Sequence, residues 1–387
     1  MELNNRDLKL ITTLYFFGIG TSEQLSRLYF KNSNGTRARL RQLMLNKYVK
    51  CERLSKGTSW VNVYYLSKKG IYEAQDWLEC CFDRELQNLS FKLNPVLFRH
   101  DLRIVDIFCK LVQEKIVSVD DLFTGKFTDR RSSPVLPSIL GKKATLRPDA
   151  RFEFENCNFW IEVDSGRESM RNINQKLSAY QTYFASNPGG RHTVLFIVDG
   201  EINWKRLNKI KVLSSEYIGQ HELSGKVNWY TCTWGDTNFI FEQLIKPDFF
   251  NKCVGELIRA GNYKETMRNQ DYLFDYQFLP SVVAPAAWIG FKDLDSDYEQ
   301  FYIAESVACG ESSALHRLKY FMIQSREYFK LNAGRKIKLI LLINDQRDLL
   351  VIGQMYPELF DNLITVDVNS LLNGTNKVLI AQEEAVE

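Results

Sequence analysis

A chain of 387 residues with 45% apolar and 13% aromatic content has the material for two or three compact cores and is not a disordered protein. No apolar run approaches the roughly 20 residues of a membrane span, and Glu2, Asn4, Asn5 and Arg6 open the chain without a signal-peptide core, so a soluble, cytoplasmic protein with no membrane partner is expected. The net charge of +3 is unevenly spread: residues 1–78 carry 13 Lys and Arg against 6 Asp and Glu, a basic end suited to a polyanion.

Leu8, Ile11, Leu14 and Tyr15 stand at helical spacing over 6–17, and Gly18-Ile19-Gly20 ends that helix. Thr21-Ser22-Glu23-Gln24 caps a second helix over 24–30, with Leu25 and Leu28 facing inward. After Asn32-Ser33-Asn34-Gly35, a third helix over 36–47 sets Leu40, Leu43 and Met44 in an apolar stripe, with Arg37, Arg39, Arg41 and Lys47 off it. Two strands, 48–54 and 61–67, alternate around the turn Ser55-Lys56-Gly57-Thr58, and Lys68-Lys69-Gly70 opens another helix.

Three helices followed by a hairpin is the winged-helix order, so residues 1–78 are expected to bind DNA. The third helix would enter the major groove of double-stranded DNA at a specific site, with Thr36, Arg37, Arg39, Arg41 and Lys47 as contacts and Lys56 on the wing touching the backbone. Winged helices also dock proteins, and an arginine-rich face can be merely solvated, so both of these readings stay open.

Residues 79–95 read as a linker or connecting helix, and 96–116 as a strongly periodic helix opening a core domain over 96–255. The stretch from Thr124 to Arg147 reads as a long basic loop in which Arg130, Arg131, Lys142 and Lys143 are further candidate DNA contacts. An alternation follows: strand 149–155, a tight turn, strand 159–164, helix 171–184, a break at Asn187-Pro188-Gly189-Gly190, strand 193–198, then a helix near 204–214 and a strand near 226–232. This is a mixed α/β domain.

Within it stand Pro148-Asp149, then Glu162-Val163-Asp164, then Lys176 in the next helix. Glu162 and Asp164 share one face of their strand, and the hairpin can bring Asp149 beside them. Three converging carboxylates are the hard oxygen ligands of Mg2+ or Mn2+, a metal that can orient water for phosphodiester hydrolysis. The apolar neighbours Phe159, Trp160, Ile161 and Val163 argue against a solvated sheet edge, because buried carboxylates need partners. The eight cysteines form no CxxC pair and the four histidines no i,i+2 or i,i+4 pair, which excludes a local zinc site and the histidine cluster of tyrosine relaxases.

The run RPDA…FWIEVD…KLSAYQTYF after a winged helix resembles the PD-(D/E)XK nuclease superfamily, and within it the replication-relaxation or MobC-like proteins of plasmids and integrative elements. The resemblance spans about residues 6–200. It implies a restriction-endonuclease-like domain in which Asp149 is the PD aspartate, Glu162 the acidic residue of the signature, and Asp149, Glu162 and Asp164 the metal ligands. The chain departs from the signature by placing Asp164 where the lysine stands, and Lys176 is the candidate replacement. Gln175 and Tyr180 resemble residues that accompany such sites, although Tyr180 also suits a core position. His100 and Asp101 could reach the site, with capping or core roles as the plainer reading.

Residues 285–345 echo this pattern, PAAWIGF for PDARFEF and FYIAES for FWIEVD, with Ala286, Ala304 and Ser306 in place of Asp149, Glu162 and Asp164. Residues 256–387 are therefore expected to be a degenerate second nuclease-like domain, the alternative being coincidence between two ordinary α/β segments, since strand and helix patterns recur widely. The leading functional expectation is a sequence-directed, Mg2+- or Mn2+-dependent DNA endonuclease of a mobile element, a nickase because one site faces a silent copy, serving transfer or interference with possible element-encoded accessory proteins. The alternative is a non-catalytic DNA-binding replication or mobilisation protein that keeps the nuclease fold as scaffold.

Overall fold

The computed structural model describes residues 2–30, 32–56, 59–82, 97–132, 147–187, 190–198, 204–218, 227–237, 240–241, 249–260, 263–268, 287–293, 299–306, 312, 337–343, 349, 353 and 363–374. The architecture is mixed α/β and divides into two compact units, Met1–Ser165 with Gly190–His192, and Gly166–Gly189 with Thr193–Glu387. Among the described residues no helix is long and apolar enough to cross a membrane.

In the first unit, α1 (Asn5–Phe17) begins with a reciprocal cap. The Asn4 side chain accepts the Asp7 N–H and the Asp7 carboxylate accepts the Asn4 N–H, each at 3.0 Å, so two otherwise orphaned donors are satisfied. The helix ends at Gly18, where φ is +72° and a Cβ would fall 1.4 Å from Arg131 Nη1; backbone and packing both require glycine there. β1 (Gly20–Thr21) leads into α2 (Ser22–Tyr29), capped by Thr21 and Gln24 as the sequence predicts. α3 (Ser33–Leu45) starts three residues before its expected position because the Asn32 side chain accepts the Gly35 N–H, making Ser33-Asn34-Gly35 the first turn of the helix and not a loop.

β2 (Val49–Lys56) and β3 (Ser59–Leu66) form the wing, with Ser55 opposite Trp60 and Lys56 opposite Ser59, so the hairpin runs further toward its turn than expected. β1 adds to β3, giving the order β1-β3-β2, and α4 (Lys68–Phe82) follows. Three helices and this hairpin are the winged-helix arrangement expected from the sequence.

α5 (Phe98–Gln113) and α6 (Val119–Thr124) then precede β4 (Phe127–Asp129), β5 (Ala150–Phe154) and β6 (Cys157–Asp164), which pair antiparallel in that order. β4 corrects the expectation of an open loop from Thr124 onward: its three residues are all buried, with Phe127 opposite Phe152. A two-residue turn at Glu155 (φ +47°) and Asn156 (φ +59°) closes the β5–β6 hairpin, a backbone matched to the twist of the strands. Phe17 of α1 meets Phe108 of α5 at 5.3 Å between ring centroids, Phe108 meets Phe127 at 4.7 Å, and Phe152 stacks on Phe159 at 4.7 Å. One aromatic core therefore runs from the winged helix to the β5–β6 hairpin, each buried ring contributing on the order of 2–3 kcal/mol.

The second unit holds α7 (Met170–Ser186), most of β7 (Arg191–Val198), α8 (Trp204–Ile218), β8 (Val227–Thr233), α9 (Phe249–Ala260), β9 (Tyr263–Arg268), β10 (Ala287–Asp293), β11 (Glu299–Ser306), β12 (Ile337–Ile343), β13 (Leu363–Asp367) and α10 (Val368–Leu372). β9, β10 and β11 pair antiparallel, and β12 and β13 continue parallel to β11. The antiparallel triple β9-β10-β11 repeats the strand directions of β4-β5-β6, in keeping with the echo in the sequence. Its hairpin register differs by one residue, however. Ala150 lies opposite Ile161 in the first hairpin, whereas Ala287 lies opposite Ala304, the residue after Ile303, in the second. Ala286, expected in place of Asp149, lies outside the described residues.

Candidate functional site

α3 sorts its basic residues into two kinds. Arg39 is drawn inward: its Nε donates to Asp7 Oδ1 at 2.7 Å, its Nη2 to Asp7 Oδ2, and its Nη1 to Gln42 at 2.6 Å. Asp7 is fully buried, so this fork supplies the partner a buried carboxylate needs and ties α3 to α1. Thr36 is also buried, and its hydroxyl donates to the Asn32 carbonyl at 3.1 Å. The expected DNA contacts Thr36 and Arg39 are thus corrected to internal roles. Arg37 and Arg41, one helical turn apart, are exposed, as is Lys47, which takes a left-handed φ of +62° at the exit from the helix. None of these three enters an ion pair among the described residues. Lys56 pairs with Ser59 through its backbone, and its side chain lies outside the described residues, as do Lys142 and Lys143.

Two arginines of the expected basic loop share one carboxylate within the fold. Arg130 Nη2 lies 2.8 Å from Asp101 Oδ1, and Arg131 Nη2 lies 3.0 Å from Asp101 Oδ2, so one carboxylate on α5 takes both guanidinium groups. Their expected role as DNA contacts is corrected to that of clamps on α5. Beside them, His100 Nε2 lies 3.1 Å from Asp149 Oδ2, and its Nδ1 stands 3.8 Å from Asp101 Oδ1, too far for a hydrogen bond. Burial by itself would lower the His100 pKa; the Asp101 and Asp149 carboxylates outweigh it and raise the value to about 10, with Arg130 opposing them.

Asp149 is held by His100 and by the Val163 N–H, which donates to its Oδ2 at 2.9 Å. Its own N–H donates to the Ile161 carbonyl at 3.0 Å, which continues the β5–β6 ladder and sets Asp149 beside Glu162. Glu162 and Asp164 are buried to 0% and 1% exposure on β6. Among the described residues no group of three or more His, Cys, Asp and Glu side chains is arranged to hold a metal ion. The donor chemistry of Glu162 and Asp164 nevertheless fits Mg2+, which takes one or two carboxylates and leaves its other positions to water and substrate phosphates. Lys176 belongs to the second unit, where its ammonium lies 3.0 Å from Glu168 Oε1. Gln175 is exposed there, and Tyr180 is core, packed against Phe184 and Trp229.

The His100–Asp149 pair realises the alternative that the sequence left open for His100, which could reach the site although a capping or core role was the plainer reading. One feature escaped the reading of the sequence. The wing carries Trp60, 61% exposed, with the Arg53 guanidinium over its ring at 5.6 Å; a tryptophan beside a polar turn was its only mark in the sequence.

No curated protein matches the chain. The crystal structure of Bacillus subtilis PadR in complex with operator DNA is similar at 16% sequence identity and a TM-score of 0.18, covering 30% of this chain and 68% of that one. Over residues 11–197, from the first helix of the winged helix to the end of β7, the chain matches the replication-relaxation family model.

Proposed function

We propose that this chain is a cytoplasmic, sequence-directed double-stranded-DNA-binding protein that serves replication or mobilisation of a mobile genetic element, together with accessory proteins of that element. The observation that carries this reading is the division of labour on α3: Arg39 is spent on Asp7, while Arg37 and Arg41 project from the exposed side of the same helix, with Lys47 exposed just past its end, in a winged-helix frame. The replication-relaxation match covers that helix and gives the context. Selection from a randomised duplex pool tests it: an enriched motif that Arg37→Ala and Arg41→Ala relax supports the reading, and no enrichment by folded protein contradicts it.

A second reading, a metal-dependent endonuclease of the PD-(D/E)XK type acting as a nickase, is favoured by one observation. Asp149 and, on β6, Glu162 and Asp164 stand at the open end of the β5–β6 hairpin, where the strand register sets Asp149 opposite Glu162 and supplies the oxygen donors that Mg2+ takes. In that reading Glu162 and Asp164, with Asp149, hold Mg2+ or Mn2+. A bound ion there would polarise a phosphoryl oxygen and acidify a water. The chain's own part is to position the donors: His100 and the Val163 N–H fix the orientation of Asp149. Metal-dependent relaxation of supercoiled plasmid, lost in Glu162→Ala and Asp149→Ala, tests this second reading.

A further inference from the structure

The wing exposes an indole where a soluble surface gains nothing by doing so. Trp60 stands at the turn end of β3, opposite Ser55, and is 61% exposed. Residues directly opposite and two apart in an antiparallel pair share a face, so Arg53, Ser55, Trp60, Asn62 and Tyr64 lie on one side of the hairpin, while Leu54, Val61, Val63 and Tyr65 pack into the core on the other. The platform is held in place as well: Arg99 of α5 donates to the Ser55 carbonyl at 3.3 Å, and Arg53 stacks over the indole. The result is a flat π surface, flanked by arginines, on a braced protrusion.

We infer that the Arg53–Trp60 face of the wing binds an unpaired nucleobase of DNA, the indole stacking on the base and Arg53 meeting its phosphate. In a closed duplex each base face is covered by its neighbours, and opening a step to admit a ring costs a few kcal/mol. An indole therefore gains a partner where bases are already unpaired, and every base offers the π face it needs. The inference rests on the DNA-binding reading and adds a preference for opened DNA, the state that replication and strand transfer both create.

The test compares the full chain on three fluorescent DNAs: a closed duplex, the same duplex with a central bubble of mismatches, and one of its single strands. The wild-type protein is expected to hold the bubble roughly tenfold to a hundredfold more tightly than the closed duplex. Trp60→Ala is expected to erase that difference while leaving closed-duplex affinity within about twofold, and Trp60→Phe to retain most of it. So exposed a side chain can be truncated without unfolding the wing, which a thermal melt verifies. Equal wild-type affinity for bubble and duplex overturns the inference and leaves DNA binding standing. Loss of affinity for all three DNAs in Trp60→Ala also overturns it, because the ring is then a groove contact; no change on any of them assigns the face to another partner. If the folded wild-type protein binds none of the three, the DNA-binding reading falls with it.

Discussion

His100 Nε2 and Asp149 Oδ2 stand 3.1 Å apart, which joins the first turn of α5 to the start of the β5–β6 hairpin through a histidine held in its charged form. Because the pKa of folded His100 is raised from 6.5 to about 10, its contribution to stability is fully present below about pH 6.5 and is lost as pH climbs through about 10. The melting temperature of the native protein should therefore exceed that of His100→Gln most near pH 6, with the gap closing toward pH 10. A gap that stays constant or widens with pH would show that the pair carries no such charge.

Arg39 and Asp7 make a corresponding prediction for α3. Asp7 is fully buried and the Arg39 side chain is 18% exposed, so removing the arginine strands a carboxylate. Arg39→Ala should destabilise the fold toward the low end of the roughly 3–5 kcal/mol seen when one partner of a buried pair is lost. Adding Asp7→Asn should recover part of that, since the two effects are not additive for residues in contact. Denaturant unfolding of the two single variants and the double variant measures the coupling; strict additivity would remove the pair from the core of the winged helix.

The carboxylates on β6 separate the two functional readings. If Glu162 and Asp164 hold Mg2+, saturating the native protein at a hundred times its Kd should add about 2.7 kcal/mol of stability, and Glu162→Gln and Asp164→Asn should abolish the gain. A thermal melt with and without Mg2+ measures this independently of cleavage. If native and variant proteins respond identically to the ion, the fold is a scaffold for DNA binding and not a nuclease.

What the sequence made legible was local. Helical spacing and the Thr21–Gln24 cap located α1 and α2, and the alternation of apolar residues located the wing and the β5–β6 hairpin. What it hid depends on distant partners. The three residues of β4 form a strand only because β5 lies beside them, so no periodicity could mark Phe127 as core. Arg39 lies off the apolar stripe of α3 like Arg37 and Arg41, and only Asp7, 32 positions away, makes it structural while the other two stay exposed. Arg130 and Arg131 resembled a DNA-binding loop for the same reason: the acid that both of them pair with is on α5. The acidic residues were legible on their strands, whereas for His100, which fixes the orientation of Asp149, the sequence offered reaching the site only as the less plain of two readings.

The most direct test of DNA binding through α3 is the dependence of duplex affinity on salt, measured for the native protein and for Arg37→Ala with Arg41→Ala. Both side chains are exposed, so the double variant should fold normally, with each site changing stability by no more than about 0.5 kcal/mol. Each phosphate contact contributes about 0.9 to the slope of log affinity against log salt, so the slope should fall by roughly 1 for each arginine that contacts a phosphate. A native protein whose affinity does not change with salt, or a double variant with the native slope and affinity, would contradict the assignment of α3 as the DNA-reading helix.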